Sequence, residues 1–250
     1  MRGLIYTLGV AVVAGASFSH AALLPNMDYE YDGNAVPESS LPAWEKYFDG
    51  DASVSGGTLT VTTPGTHGGS DVNFQEYRQP GGAGNPWNGS SSGNTVEVKI
   101  NSISNAAGYD WAGGLAIGTG VHDYGIVIGE HYISANVTQT NSTPADYSIV
   151  LNDAPHILRF TTNDADDGQL NLYVDGNTTP AKTWTGNNPA VTTNNRLAFG
   201  DLGNSSNGTV VWDYIQWTND GAFAPAVPEP ASLSLLGLGS LALIGRRRRK

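Results

Sequence analysis

Between its two ends the chain is a succession of short apolar and alternating runs, cut by Gly, Asn, Asp and Ser, with no stretch that sustains a helical period. Thr58-Leu59-Thr60-Val61-Thr62 alternates cleanly, and Val96, Val98 and Ile100 alternate with Glu97, Lys99 and Asn101. A period of two places apolar side chains on one face of a strand and polar ones on the other. Further runs cover Leu115 to Thr119, Tyr124 to Ile128, Tyr132 to Thr138 and Leu197 to Gly200. Ile157 to Thr162 and Leu170 to Val174 flank the acidic stretch Asn163 to Gly168, which is a hairpin pattern. Val210 to Trp217 is apolar on both faces, as in a buried strand. Short strands joined by turns, with few helix formers and 32 glycines, predict an all-β antiparallel sandwich.

The two ends have a different character. Arg2 precedes an apolar stretch from Leu4 to Ala16, and Ser19-His20-Ala21 presents small residues to a signal peptidase. Residues 1–21 therefore read as a signal peptide cleaved after Ala21. At the other end Val227-Pro228-Glu229-Pro230 keeps the chain extended. An apolar run, 231–245, follows, and Arg246, Arg247, Arg248, Arg249 and Lys250 close the chain. The apolar run is short for the ~30 Å hydrocarbon core. The cationic cluster favours a membrane helix whose end stays in the cytoplasm. Pro-Glu-Pro, apolar helix and basic cluster, in that order, resemble the PEP-CTERM sorting signal of exopolysaccharide-producing Gram-negative bacteria. The resemblance implies an exosortase-type processing partner, an inner-membrane intermediate, and delivery to the cell surface or extracellular matrix. A permanent anchor is the alternative fate of the tail.

These boundaries leave 22–43 as an N-terminal arm, 44–218 as the sandwich and 219–230 as a linker. Residues 22–230 hold six basic residues (Lys46, Arg78, Lys99, Arg159, Lys182, Arg196) against all 23 acids, a net charge of −17. Such a surface repels phosphate backbones, so nucleic acid is not an expected partner. Cysteine is absent, which excludes disulfide and thiolate chemistry. The segments Ala112 to Gly118, His156 to Phe160, Leu170 to Gly176 and Val211 to Ile215 follow one another as in the concanavalin A-like, laminin-G-like jelly roll. That resemblance spans most of 44–218 and implies a domain type that often meets polysaccharide.

Hydrolases of this fold need two carboxylates about the scissile bond. The resemblance carries their Glu-x-Asp-x-(x)-Glu strand only to Glu30-Tyr31-Asp32, where Asn34 and Ala35 stand in place of the last acid. Gly89-Ser90-Ser91-Ser92-Gly93 matches a nucleophile elbow in letters but lies in a Gly/Ser/Asn stretch. No catalytic residue is assigned and the domain is read as non-enzymatic. The acidic stretch 163–168 departs from EF-hand spacing at Ala165, and the five histidines show no ligand spacing. No metal site or cofactor is expected; calcium is the ion the acidic surface would accept. The candidate glycan-stacking residues are Trp87, in the long loop from Gln79 to Asn94, and Tyr109, Asp110 and Trp111 in a second turn. Each tryptophan has an alternative role in covering the sandwich edge. The functional expectation is an exported glycan-binding or adhesion protein. The alternatives are a polysaccharide hydrolase or lyase and a purely structural matrix component.

Overall fold

The computed structural model describes residues 23–47, 51–63, 76–90, 92–105, 111–136, 147–163, 168–185, 195–201 and 208–226. Every strand in them is antiparallel to its neighbours, and the strands form two stacked sheets. Numbered along the chain, sheet A runs in the order β13 (Lys182–Thr185), β12 (Gln169–Val174), β11 (His156–Asn163), β6 (Asn94–Asn105), β15 (Gly208–Thr218), β4 (Thr58–Thr63) and β3 (Asp51–Ser55). Sheet B runs β10 (Tyr147–Ser148), β9 (Tyr132–Asn136), β8 (Asp123–Ile128), β7 (Gly113–Thr119), β14 (Asn195–Gly200), β5 (Glu76–Pro80) and β2 (Glu45–Lys46). The two late strands are inserted between early ones: β15 between β4 and β6, and β14 between β5 and β7. This interleaving across two sheets is the jelly-roll sandwich that the alternation and the resemblance lead one to expect. The 157–174 hairpin also forms, with Leu158 to Asn163 paired to Val174 to Gln169.

The core lies between the sheets. From sheet A it takes Leu59, Val61, Val96, Val98, Ile100, Leu158, Phe160, Leu170, Leu172, Ile215 and Trp217, and from sheet B Tyr77, Leu115, Ile117, Tyr124, Ile126, Ile133, Leu197 and Phe199. Strand β15 explains its own two-sided apolar pattern. Its register against β6 shifts between Val211 and Trp212 and again between Trp212 and Tyr214. The bulge changes the phase of alternation, so Val210 and Trp212 face the core before it and Ile215 and Trp217 after it. Tyr214, Gln216 and Thr218 are thereby turned to the outer face of sheet A.

The N-terminal arm belongs to the sandwich, which corrects the boundary at residue 44. A first strand, β1 (Tyr29–Tyr31), pairs with β15 along Ile215 to Trp217, and Tyr31 is fully buried. Glu30 and Tyr31 thus stand in the sheet, and Asp32 follows directly after the strand. The far boundary moves as well. The Thr95 hydroxyl donates to the carbonyl of Gly221 at 2.7 Å and accepts from the Phe223 amide at 2.8 Å. The Arg159 guanidinium donates to the carbonyl of Phe223 at 3.3 Å, and Pro225 is buried. Residues 219–226 are therefore a strap across β6 and β11. Gly93 makes room for it at φ +112°; a Cβ there would lie 2.9 Å from Ala222.

Beneath the strap a row of polar side chains crosses five strands in register: Tyr173, Arg159, Glu97, Gln216 and Glu30. Arg159 Nε donates to Glu97 at 2.7 Å, the Tyr214 hydroxyl donates to the other Glu97 oxygen at 2.8 Å, and Gln216 donates to Glu30 at 2.8 Å. Burial, then the Glu97 charge, raise the Tyr214 pKa and keep the phenol a donor. The Leu24 amide donates to Gln216 at 3.1 Å, so the arm at Leu24 lies on this face too. A carboxylate with both oxygens bonded in a dry site depends on its cation. Arg159→Ala is expected to cost about 3–5 kcal/mol in denaturant unfolding. A chain ending at Thr218 should unfold at lower denaturant than one ending at Ala226. Equal midpoints would mean that the strap adds nothing to the fold.

Candidate functional site

The four stacking candidates do not form one site. Trp87 is completely buried, and its indole N–H donates to the carbonyl of Gly118 at 2.8 Å, near the C-terminal end of β7. Trp111 is half-buried and immediately precedes β7 at its other end. At about 3.3 Å per residue the two ends of a seven-residue strand are roughly 20 Å apart. Tyr109 and Asp110 lie outside the described residues. So do Ala21, Val227, Pro228, Glu229, Pro230 and Arg246 to Arg249.

Trp87 is the anchor of its loop and not an exposed platform, which corrects the stacking role considered for it. Around it Gly81 donates to the Asn195 carbonyl at 2.7 Å, Gly89 donates to the Asn195 side chain at 3.0 Å, and Trp217 and Asn219 donate to the Pro86 carbonyl. Gly89 packs so closely on β7 that a Cβ would lie 2.4 Å from the Thr119 Cα. The loop closes one end of the sandwich. Gly93 leads directly into β6, so the Gly-x-Ser-x-Gly letters stand in a strand-loop-strand setting rather than at an elbow.

A better-built cluster stands on the outer face of sheet B, where β2 pairs with β5. Glu76 and Arg78 are two residues apart on β5, so they share a face. Arg78 holds Glu76 in a two-pronged ion pair at 2.5 and 3.0 Å. The same guanidinium lies 3.4 Å from the ring centroid of Tyr47. Tyr47 keeps 46% of its surface exposed, and Glu45, opposite Arg78 in the register, is also exposed. Burial works against the Arg78 charge, but the bonds to Glu76 and Tyr47 more than offset it and raise its pKa. An aromatic ring fixed by a guanidinium, with a carboxylate alongside, offers both a stacking surface and directed hydrogen-bond groups. Sequence reading passed over this cluster because its parts are 31 residues apart. Its one local signal is the Glu-x-Arg pattern at 76 and 78, in a region with only six basic residues.

Inward from Arg78 the same face is floored by small residues. Ala198 and Ala116 follow Arg78 in register, with Gly200 and Gly114 on one side and Gly118 on the other. Ala198 is fully buried, so the middle of this floor is not a solvent-filled groove. At its end Arg196 approaches Asp123, 3.9 Å away and two strands over, across the side-chain-free Gly118.

A second charged cluster joins two loops. His156 Nδ1 lies 2.9 Å from Asp175 and Nε2 lies 2.9 Å from Asp153. Both ring nitrogens face carboxylates, an arrangement that suits the doubly protonated ring. Burial opposes that charge, but the bonds to Asp153 and Asp175 outweigh it and raise the His156 pKa. Among the described residues no group of three or more His, Asp or Glu is placed to hold a metal ion.

The comparisons add an address and a set of shapes. No curated protein matches the chain in sequence. Among solved structures it is similar to a conserved carbohydrate esterase of the Shiga toxin-encoding bacteriophage phi24B, at 16% identity and TM-score 0.49, over 75% of this chain and 95% of that one. It is similar to the metal-free carbohydrate recognition domain of Emp46p, at 16% identity and TM-score 0.47, over 78% and 97%. It is also similar to an endo-beta-1,4-glucuronan lyase from the fungus Trichoderma reesei, at 13% identity and TM-score 0.48, over 82% and 100%. At such likeness no neighbour's ligand or chemistry transfers to this chain.

Two predictions follow from the geometry. Trp87→Ala removes a buried ring and a buried hydrogen bond, and is expected to lower stability by about 3–5 kcal/mol; a stable variant would show that the ring is dispensable to the loop. The raised His156 pKa adds stability that is complete below the unfolded value of about 6.5 and is lost as pH rises through the folded value. His156→Gln should remove that decline from the stability-pH profile, and an unchanged profile would refute the charged bridge. The family model for the PEP-CTERM protein-sorting motif matches residues 226–250, and the chain is thus one that carries this sorting address at its C-terminus.

Proposed function

We propose that this is an exosortase-processed protein of the cell surface or extracellular matrix whose sandwich binds polysaccharide without cutting it. Export is supported by the sorting motif at 226–250 together with the signal-peptide pattern at 1–21. Binding is supported above all by the Tyr47–Arg78–Glu76 cluster, which presents an exposed ring already oriented by a guanidinium. A pre-oriented ring loses little freedom when a sugar's C–H face settles on it. Trp111, half-buried at one end of β7, is the second proposed contact, with Tyr109 and Asp110 beside it in sequence.

The commitments of two buried acids, Glu97 and Glu76, favour binding over hydrolysis. A general acid needs a carboxyl whose protonated form is favoured, with a second carboxylate at about 5–9.5 Å. Glu97 is bonded to Arg159 and Tyr214, and Glu76 is bonded to Arg78. Both acids are thus engaged, Glu97 on the outer face of sheet A and Glu76 on that of sheet B.

The test is a glycan array and a polysaccharide pull-down with residues 23–226, with and without calcium. Selective retention is expected, with Tyr47→Ala weakening it about tenfold or more while the fold persists. Retention lost only on Trp111→Ala would move the site to the other end of β7. No retention on any polymer would contradict the proposal and favour a purely structural role.

A further inference from the structure

The described segments nearest the two ends, from Leu24 and up to Pro225, lie on one side of the sandwich. Leu24 is held by Gln216, and the Asp28 amide extends the β1 ladder to the Trp217 carbonyl. At the other end the strap starts at Thr218 and crosses the outer face of sheet A. It is bonded at Gly221 and Phe223 to Thr95 and at Phe223 to Arg159, and it is still buried at Pro225. Only Val227 to Pro230 then separates the strap from the apolar run at 231. Four residues span at most about 14 Å. The headgroup layer takes up roughly 5–8 Å of that. A domain of about 200 residues is roughly 40 Å across, and its two sheets lie about 10 Å apart. So short a tether, rooted on one face of so wide a body, does not allow the body to turn freely.

We propose that, while the sorting tail is in place, the strap holds the outer face of sheet A, at its Thr95 end, against the membrane surface, and so turns the Tyr47–Arg78–Glu76 face of sheet B outward. This rests on the reading of 231–245 as a membrane span. The partner is the lipid surface itself, and its position is set by chain length and not by adhesion. Adhesion would be opposed by the −17 charge of residues 22–230. Sheet B is then presented to polymer outside the cell before the tail is removed.

The absence of cysteine allows single-site labelling of the otherwise natural chain. Thr183 is exposed on β13, in the register row that runs from Thr95 through Thr161 and Asn171. Glu45 is exposed on β2, opposite Arg78 on sheet B. Thr183→Cys and Glu45→Cys in residues 22–250, the chain left after signal-peptide removal, are each labelled with a fluorophore and reconstituted in phosphatidylcholine vesicles carrying headgroup nitroxide quenchers. At least threefold stronger quenching at Thr183 than at Glu45 is expected, with the difference collapsing when twelve Gly/Ser residues are inserted after Ala226. Equal quenching at the two sites, or stronger quenching at Glu45, would overturn the orientation while leaving the tail as a membrane span. A 22–250 chain that fails to float with the vesicles would overturn both. A 22–226 chain should not float, and flotation of that chain would show adhesion in place of tethering.

Discussion

The fold turns on one ring. Phe199 of β14 lies at the meeting point of the two sheets, with Trp44 edge-on at 4.8 Å, Tyr77 at 5.4 Å, Trp212 edge-on at 5.5 Å and Tyr31 at 5.8 Å between ring centroids. Those partners come from β5, β15, β1 and the segment just before β2, so the ring ties together chain regions more than 160 residues apart. Trp44 also meets Trp217 at 5.2 Å, and Tyr29 stacks on Trp217 at 5.4 Å. Edge-to-face packing of this kind adds about 0.5–1.5 kcal/mol per pair beyond the area buried. Burial comes first in raising the pKa of Tyr31, whose hydroxyl stays protonated and donates to the Ala35 carbonyl at 2.8 Å. In a chain without disulfides this aromatic cluster joins the first fifty residues to the last fifty.

What surrounds the core follows from two terminal segments that look dispensable in sequence. The arm before residue 44 supplies β1 and Tyr31, and the strap after 218 covers Arg159 and Glu97. Met27-Asp28-Tyr29-Glu30-Tyr31-Asp32 does alternate, but the run is short and set among turn residues, and the strap is small, polar or turn-forming apart from Phe223. Such segments are held by bonds to side chains far away, here Gln216 and Thr95, and that dependence has no local signature. Strands such as β4 and β6 were readable, because apolar and polar residues alternate at the spacing that one core-facing side demands. The double-sided run in β15 was readable as buried but not as bulged, since a phase change and a fully covered strand give the same letters.

The site was far less legible than the fold. Trp87 sits among Gly, Ser and Asn, the context of an exposed loop, yet its N–H reaches Gly118 and its ring fills the end of the sandwich. An isolated tryptophan in a polar loop is ambiguous in exactly one dimension: whether the loop folds outward or back. Tyr47 and Arg78 are brought together only by the pairing of β2 with β5. The sorting tail was legible without any structure, because apolar length, paired prolines and a cationic end are properties of the chain alone.

The described segments at either end, 23–31 and 219–226, both lie against sheet A, and the edge of sheet B carries a fixed aromatic-guanidinium-carboxylate group. The central claim is that sheet B binds polysaccharide and leaves it whole. The most direct measurement is to incubate residues 23–226 with a polysaccharide they retain and to follow the polymer's chain length by size-exclusion chromatography. The account predicts retention with an unchanged length distribution over prolonged incubation. A shift to shorter chains, with new reducing or unsaturated ends, would contradict it and make the domain an enzyme.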